Sequence, residues 1–228
     1  MNKKISASMM CANPLNLGQI LRCLEEHKVD YLHIDIMDGV FVPNLGIGLD
    51  YVNALRESTN IPFDFHLMVH NPDNILPILN VKPDDIISIH YESTFQVQRT
   101  LENVKKKGCK VFLAINPATP INSLEEVIFY IDGINMLMVN PGFAGQKIVD
   151  SCFKKMEKLC TLLEDSGRLN SIDIEVDGNI TIENAKKLAN FGANIFVGGT
   201  SSIFTKYGVN EDMLIQLSNV INTDGLNK

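Results

Sequence analysis

Short apolar runs and amphipathic stretches alternate along this chain from end to end, and that alternation limits its fold more than any other feature. The apolar runs read as strands over Lys4–Ser8, Tyr31–Ile36, Pro62–Leu67, Ile86–His90, Lys110–Ile115, Gly133–Val139, Ser171–Val176 and Asn194–Gly198. The intervening stretches predict helices near Leu15–His27, Gly48–Ser58, Pro72–Leu79, Phe95–Lys107, Ser123–Tyr130, Asp150–Ser166, Thr181–Phe191 and Asn210–Asn222. Strands separated by helices form parallel sheets covered by those helices. Eight such units close a (β/α)8 TIM barrel, and 228 residues is near the usual length of about 250. An open doubly wound sheet would want its glycine-rich turn after the first strand. Here that turn reads Ser8-Met9-Met10-Cys11, and the glycines cluster after the sixth and eighth strands instead. No Pro/Gly linker or low-complexity segment divides the sequence, so residues 1–228 are expected to form one barrel domain.

Composition narrows the partners. A net charge of −7 argues against a broad nucleic-acid surface, and no apolar run approaches the length of a membrane span. The N-terminus enters a strand at once, without a signal-peptide core. The five cysteines show no paired or zinc-type spacing. They read as reduced thiols, and the chain as cytoplasmic. The tail after Asn222 is expected to be loose.

Chemistry in a barrel sits at the C-terminal ends of the strands. The second strand, within Leu32–Pro43, places His33 and Asp35 two apart on one face, with Met37 joining them at its end. The third strand ends in His66 and Met68, the fourth in His90 followed by Glu92, and the seventh in Glu175 and Asp177. His33, Asp35, His66 and Asp177 make a four-ligand set for one borderline divalent metal ion, with room for a substrate oxygen. Asp64, two residues before His66, reads as an acceptor behind it. His90 reads as a satisfied core group, while His27 and His70 look solvated.

Glycine-rich segments point to phosphate. Asn140–Gln146, with Gly142 and Gly145, and the run Gly198-Gly199-Thr200-Ser201 before the final helix can present backbone N–H groups to an anion. Barrels commonly hold phosphate in the loops after strands seven and eight, where Gly178, Gly199 and Thr200 fall. Met9, Met37, Met68 and Met138 lie near strand ends, where methionine by default fills core gaps.

These motifs resemble the ribulose-phosphate 3-epimerase family. The carriers are HIDIMDGVFVPN at His33–Asn44, DFHLMV at Asp64–Val69, IHYES at Ile89–Ser93, NPATP at Asn116–Pro120, NPGFAGQ at Asn140–Gln146 and IEVDG at Ile174–Gly178. The resemblance runs from Ser8 to about Phe204. It implies a (β/α)8 barrel of the ribulose-phosphate-binding type and a sugar phosphate as substrate. It further implies one divalent cation (Zn, Mn, Fe, Co or Mg) on His33, Asp35, His66 and Asp177, and a homo-oligomer. Asp35 and Asp177 would be the acid–base pair. Ser8, Met37, Met68 and His66 would line the sugar site, and Gly142, Gly145, Gly178, Gly199 and Thr200 the phosphate site. Inverting C3 of a ketose removes a proton from one face and returns one to the other, which suits two carboxylates flanking the substrate.

Departures bear on the substrate. Many members read VDGG where Val176-Asp177-Gly178-Asn179 stands, GFGG where Gly142-Phe143-Ala144-Gly145 stands, and Met-Thr-Val where Leu137-Met138-Val139 stands. Ser8-Met9-Met10-Cys11, GFAGQ and Gly199-Thr200-Ser201 are similar to D-allulose-6-phosphate 3-epimerases, so a pentulose and a hexulose phosphate both stand as expectations. The decarboxylase or aldolase branch of phosphate-binding barrels wants a lysine near the strand-two aspartates, and Asp35 is followed by Ile36, Met37 and Asp38. A non-catalytic sugar-phosphate-binding barrel would keep the glycine loops without needing both histidines and both aspartates.

Overall fold

A computed structural model describes residues 3–222, so the tail expected to be loose lies outside the described residues. Its strands are β1 (Lys4–Ser8), β2 (Tyr31–Met37), β3 (Phe63–Met68), β4 (Ile86–His90), β5 (Lys110–Ile115), β6 (Gly133–Leu137), β7 (Asp173–Asp177) and β8 (Ile195–Gly198). They pair in parallel in chain order and close, β8 bonding back to β1 with Ser6 opposite Val197. The helices are α1 (Leu17–Glu26), α2 (Leu49–Ser58), α3 (Val97–Lys105), α4 (Ser151–Asp165), α5 (Ile182–Asn190) and α6 (Glu211–Asn222). Thr181 caps α5 as its position suggests, its hydroxyl accepting the Asn184 N–H at 3.1 Å.

The outer ring is incomplete in two places. The stretches expected to be helical at Pro72–Leu79 and Ser123–Tyr130 instead form short 3-10 turns, at Pro72–Asn74 and Leu76–Ile78 and at Ile121–Leu124 and Ile128–Tyr130. Pro72 and Pro77 lack donors and interrupt the first. The second is short, and so few residues gain little against the nucleation cost of an α-helix. A third difference follows β8. A two-stranded ribbon, β9 (Phe204–Thr205) with β10 (Gly208–Val209), intervenes before α6, so the Gly198–Ser201 run does not open the final helix.

Every residue of β2 is buried, yet its two faces differ. Leu32, Ile34 and Ile36 join the apolar layer shared with the helices. The alternate positions Tyr31, His33, Asp35 and Met37 therefore point into the barrel. The lowest interior layer is apolar: Tyr31, Ile86, Phe112 and Ile195. Gly133 of β6 yields its place there, since a Cβ on it would lie 2.3 Å from the Phe112 ring. Polar groups begin one layer higher, and they build the site.

Candidate active site

Parallel pairing sets Asp35 opposite His66 and Met37 opposite Met68 on β2 and β3. Asp177 ends β7 on the other side of the barrel axis, and its side chain reaches across to both histidines. His33 Nε2 lies 3.3 Å from Asp35 Oδ1 and 3.8 Å from Asp177 Oδ2. His66 Nδ1 lies 3.3 Å from Asp35 Oδ1 and 3.5 Å from Asp177 Oδ2. One donor atom from each of the four falls within 4.8 Å of the others. Both histidines are fully buried, and neither His33 Nε2 nor His66 Nδ1 has a hydrogen-bond partner. Two orphaned imidazole nitrogens facing two carboxylates fit a borderline divalent cation.

The groups behind the histidines fix which nitrogen faces the site. Asp64 Oδ2 accepts from Ser6 Oγ at 2.8 Å and contacts His33 Nδ1 at 2.6 Å. The carboxylate only accepts, so Nδ1 carries the proton and Nε2 is free to bind. Asp64 thus backs His33 rather than His66, because successive inward residues of adjacent strands meet side to side. His66 Nε2 instead contacts His90 Nε2 at 2.8 Å, and His90 Nδ1 contacts Glu92 Oε2 at 3.2 Å. Glu175 lies below His33, its Oε1 3.9 Å from Nδ1. Burial, reinforced by the Asp64 charge, pushes its carboxyl well above the ordinary range.

The two aspartates are pushed apart. Burial raises Asp35, but His33 and His66 beside it outweigh that and hold its carboxyl far below the usual range. Ser8 Oγ also donates to Asp35 Oδ2 at 3.3 Å. Burial likewise raises Asp177; there the histidines do not prevail, and the Asp35 and Asp64 charges add to the rise. Burial lowers His33, but the Asp64 and Asp35 charges overcome it and raise its imidazole well above the ordinary value.

A cleft, open to solvent at its mouth, lies above this cluster. Its wall includes Ser8, Asp35, Met37, Met68 and Asp177 at one end and Gly142, Gly145, Gly178, Gly199 and Thr200 at the other. His33 and His66 lie behind this wall. His66, expected also at the sugar, is not part of the cleft wall; its Nδ1 faces the aspartates and its Nε2 faces His90. Met37 and Met68 pack with Val42 beside the cleft, whereas Met9 and Met138 are core fillers, as methionine usually is. Cys11, Gln146 and Asn179 also line the cleft without having been singled out as site residues. All five cysteines are free thiols. A separate grouping on the outside of the barrel, Cys23, His27 and Glu211, joins α1 to the start of α6 through a 3.7 Å contact between His27 and an exposed Glu211.

Residues 4–204 match the model of the ribulose-phosphate 3 epimerase family. Ribulose-phosphate 3-epimerase of Bacillus subtilis (strain 168) is 36% identical over 198 residues, 87% of this chain and 91% of that protein. The Serratia marcescens ribulose-phosphate 3-epimerase is 39% identical over 201 residues, covering 88% of this chain and 94% of that protein. Among solved structures, 3-hexulose-6-phosphate synthase from Salmonella typhimurium superimposes with a TM-score of 0.68 at 13% identity, over 96% of this chain and 98% of that one. That likeness speaks to the barrel alone. No helix among the described residues is long and apolar enough to cross a membrane.

Proposed function

The chain belongs to the ribulose-phosphate 3-epimerase family, and from that premise we propose that it inverts C3 of D-ribulose 5-phosphate, giving D-xylulose 5-phosphate, with Asp35 and Asp177 as its two proton-transfer groups. The observation that carries this reading is geometric: Asp35 of β2 and Asp177 of β7 both stand in the wall of one cleft, beside the two buried histidines. Two carboxylates reaching the substrate from different strands can divide the proton transfer between its faces: Asp35 takes the C3 proton from one face, Asp177 returns one to the other, and the roles exchange in the reverse direction.

His33, Asp35, His66 and Asp177 would hold a divalent cation, whose Lewis acidity would offset negative charge developing on the substrate oxygens at C2 and C3. Ser8 steadies the Asp35 carboxylate through its hydroxyl. Met37 and Met68, packed on Val42, give that end of the cleft an apolar wall. The glycine-bearing loops after β6, β7 and β8 would cradle the phosphate with backbone N–H groups. Gly178 has φ +109°, and a Cβ on it would meet Val139 at 2.6 Å, so the loop is closed to side chains at that point.

One feature favours D-allulose 6-phosphate as a second reading. Asn179, with φ +53°, donates from Nδ2 to the Gln146 carbonyl at 2.6 Å and ties the β7 loop to the β6 loop. A hexulose carries its phosphate one carbon further from C3, so the loops that this tie joins are where the two substrates would be told apart. The test is turnover of both substrates side by side by the purified, cation-loaded protein. A much larger kcat/KM for the pentulose supports the proposal. A larger value for the hexulose moves the protein to that substrate, and no turnover of either refutes the epimerase reading.

A further inference from the structure

We propose that His90 and Glu92 are positioning residues that fix the tautomer of His66, so that its Nδ1 faces the cluster as a bare electron pair. This rests on the reading of His66 as a cation ligand. Glu92 anchors this relay. Its Oε1 accepts the Asn116 backbone N–H at 2.9 Å and also the Thr119 hydroxyl. Both partners are donors, so Glu92 stands as a carboxylate held in one orientation by the loop after β5. Its other oxygen, Oε2, faces His90 Nδ1 at 3.2 Å and can only accept. The His90 proton therefore sits on Nδ1, leaving Nε2 as an acceptor.

His90 Nε2 meets His66 Nε2 at 2.8 Å. Their rings are 21° from coplanar with centroids 5.0 Å apart, so the nitrogens meet edge to edge along their in-plane electron pairs. With His90 accepting, His66 must donate from Nε2. A neutral imidazole carries one N–H, so with Nε2 donating to His90 the neutral tautomer of His66 leaves Nδ1 bare for a cation. That is the atom 3.3 Å from Asp35 and 3.5 Å from Asp177, with no hydrogen-bond partner of its own. Both histidines are wholly buried, and Phe41 covers His90 with ring centroids 4.6 Å apart, so water does not interrupt the relay. The sequence shows only a histidine and a glutamate two residues apart, IHYES, which by themselves suggest no such link.

Replacing the carboxylate by an amide separates positioning from packing. In Glu92→Gln the side chain keeps its shape, but one of its two ends becomes an NH2 donor. If the NH2 faces His90, that ring must accept at Nδ1 and donate from Nε2. His66 then moves its proton to Nδ1 and closes the ligand position. If it faces Asn116 and Thr119, it opposes two donors and the anchor is lost.

The experiment is two-bond 1H–15N NMR of the histidine side chains in uniformly labelled, metal-free protein, with zinc affinity measured by chelator competition. Wild type is expected to show His90 protonated at Nδ1 and His66 at Nε2. Glu92→Gln is expected to shift or average that pattern and to weaken zinc binding by about 10–100-fold. The proposal is overturned if wild-type His90 carries its proton on Nε2, or if Glu92→Gln keeps both the wild-type His66 shifts and the wild-type zinc affinity. The wild-type spectrum decides the matter even if the variant does not fold. It also stands apart from turnover: a protein inactive on both ketose phosphates but with this tautomer pattern would overturn the proposed activity and leave the relay intact.

Discussion

Gly178→Ala tests whether the loop after β7 cradles phosphate, and Gly192→Ala supplies its internal control. Both glycines have positive φ, +109° and +88°, so alanine is strained at either position. At Gly192 the nearest atom to a new Cβ is Ile174 Cδ1 at 3.9 Å, an ordinary contact, which leaves backbone strain alone. That strain is worth about 1–2 kcal/mol. At Gly178 the Cβ would fall 2.6 Å and 2.9 Å from the two Val139 methyl groups, with Val139 itself buried in the cleft wall. Relieving that overlap costs a further 1–3 kcal/mol or so, or shifts the loop. Urea unfolding should therefore find Gly178→Ala less stable than Gly192→Ala by roughly 1–3 kcal/mol. Steady-state assays should show KM for the ketose phosphate raised at least tenfold or so in Gly178→Ala, and near the wild-type value in Gly192→Ala. Competitive inhibition by inorganic phosphate should weaken in parallel. A Gly178→Ala protein with unchanged KM and unchanged phosphate inhibition would refute the placement of phosphate in this loop, whatever its stability.

Further outcomes follow from the same geometry. Asp35→Asn and Asp177→Asn should each lower kcat by about 10²-fold or more. Each should retain solvent exchange of the C3 proton from one epimer only, read by deuterium incorporation into recovered substrate; near-normal epimerisation by either single variant would remove the two-carboxylate assignment. Asn179→Gly, which cuts the tie to Gln146, should change the ratio of kcat/KM for the pentulose and hexulose phosphates by roughly tenfold, an unchanged ratio showing that the tie does not set chain length. Glu92 predicts an acid limb in stability. Burial raises its carboxyl, but His90, Thr119 and the Asn116 N–H together bring it down to about 2. A depressed folded-state value stabilises the native protein above the ordinary glutamate value near 4.5, and that stability is lost as pH falls toward about 2. With solvent screening at its partly exposed position the contribution is about 1–2 kcal/mol. The unfolding free energy of Glu92→Gln should fall less steeply over that window, and a wild-type slope in the variant would contradict the assignment.

The barrel was legible because strand burial differs little from strand to strand, so each apolar run stands out whichever face it shows. The His-x-Asp of β2 was legible for a related reason, since only a site or a satisfied polar layer explains two such groups in a buried strand. Pairing across strands was less accessible. Asp64 sits two residues before His66 in sequence but bonds His33, because register between β2 and β3, which the residues alone do not state, sets lateral neighbours. His90 looked inert for the same reason: its partner His66 lies on the adjacent strand and its anchor in a loop beyond β5. The two failed helices, at Pro72–Leu79 and Ser123–Tyr130, had apolar spacing suited to a helix but too few residues to offset its nucleation cost, and the first also lacks donors at Pro72 and Pro77.

The most direct test of the two-carboxylate account is turnover of D-ribulose 5-phosphate by the wild-type protein in deuterium oxide, with mass and NMR analysis of product formed before equilibrium. A base on one face and an acid on the other require the incoming hydrogen to come from a group in exchange with solvent, so the product should carry deuterium at C3 from the first turnovers. Product retaining the substrate's own hydrogen at C3 would mean that a single group removes and returns it, and would contradict the assignment of Asp35 and Asp177 to opposite faces.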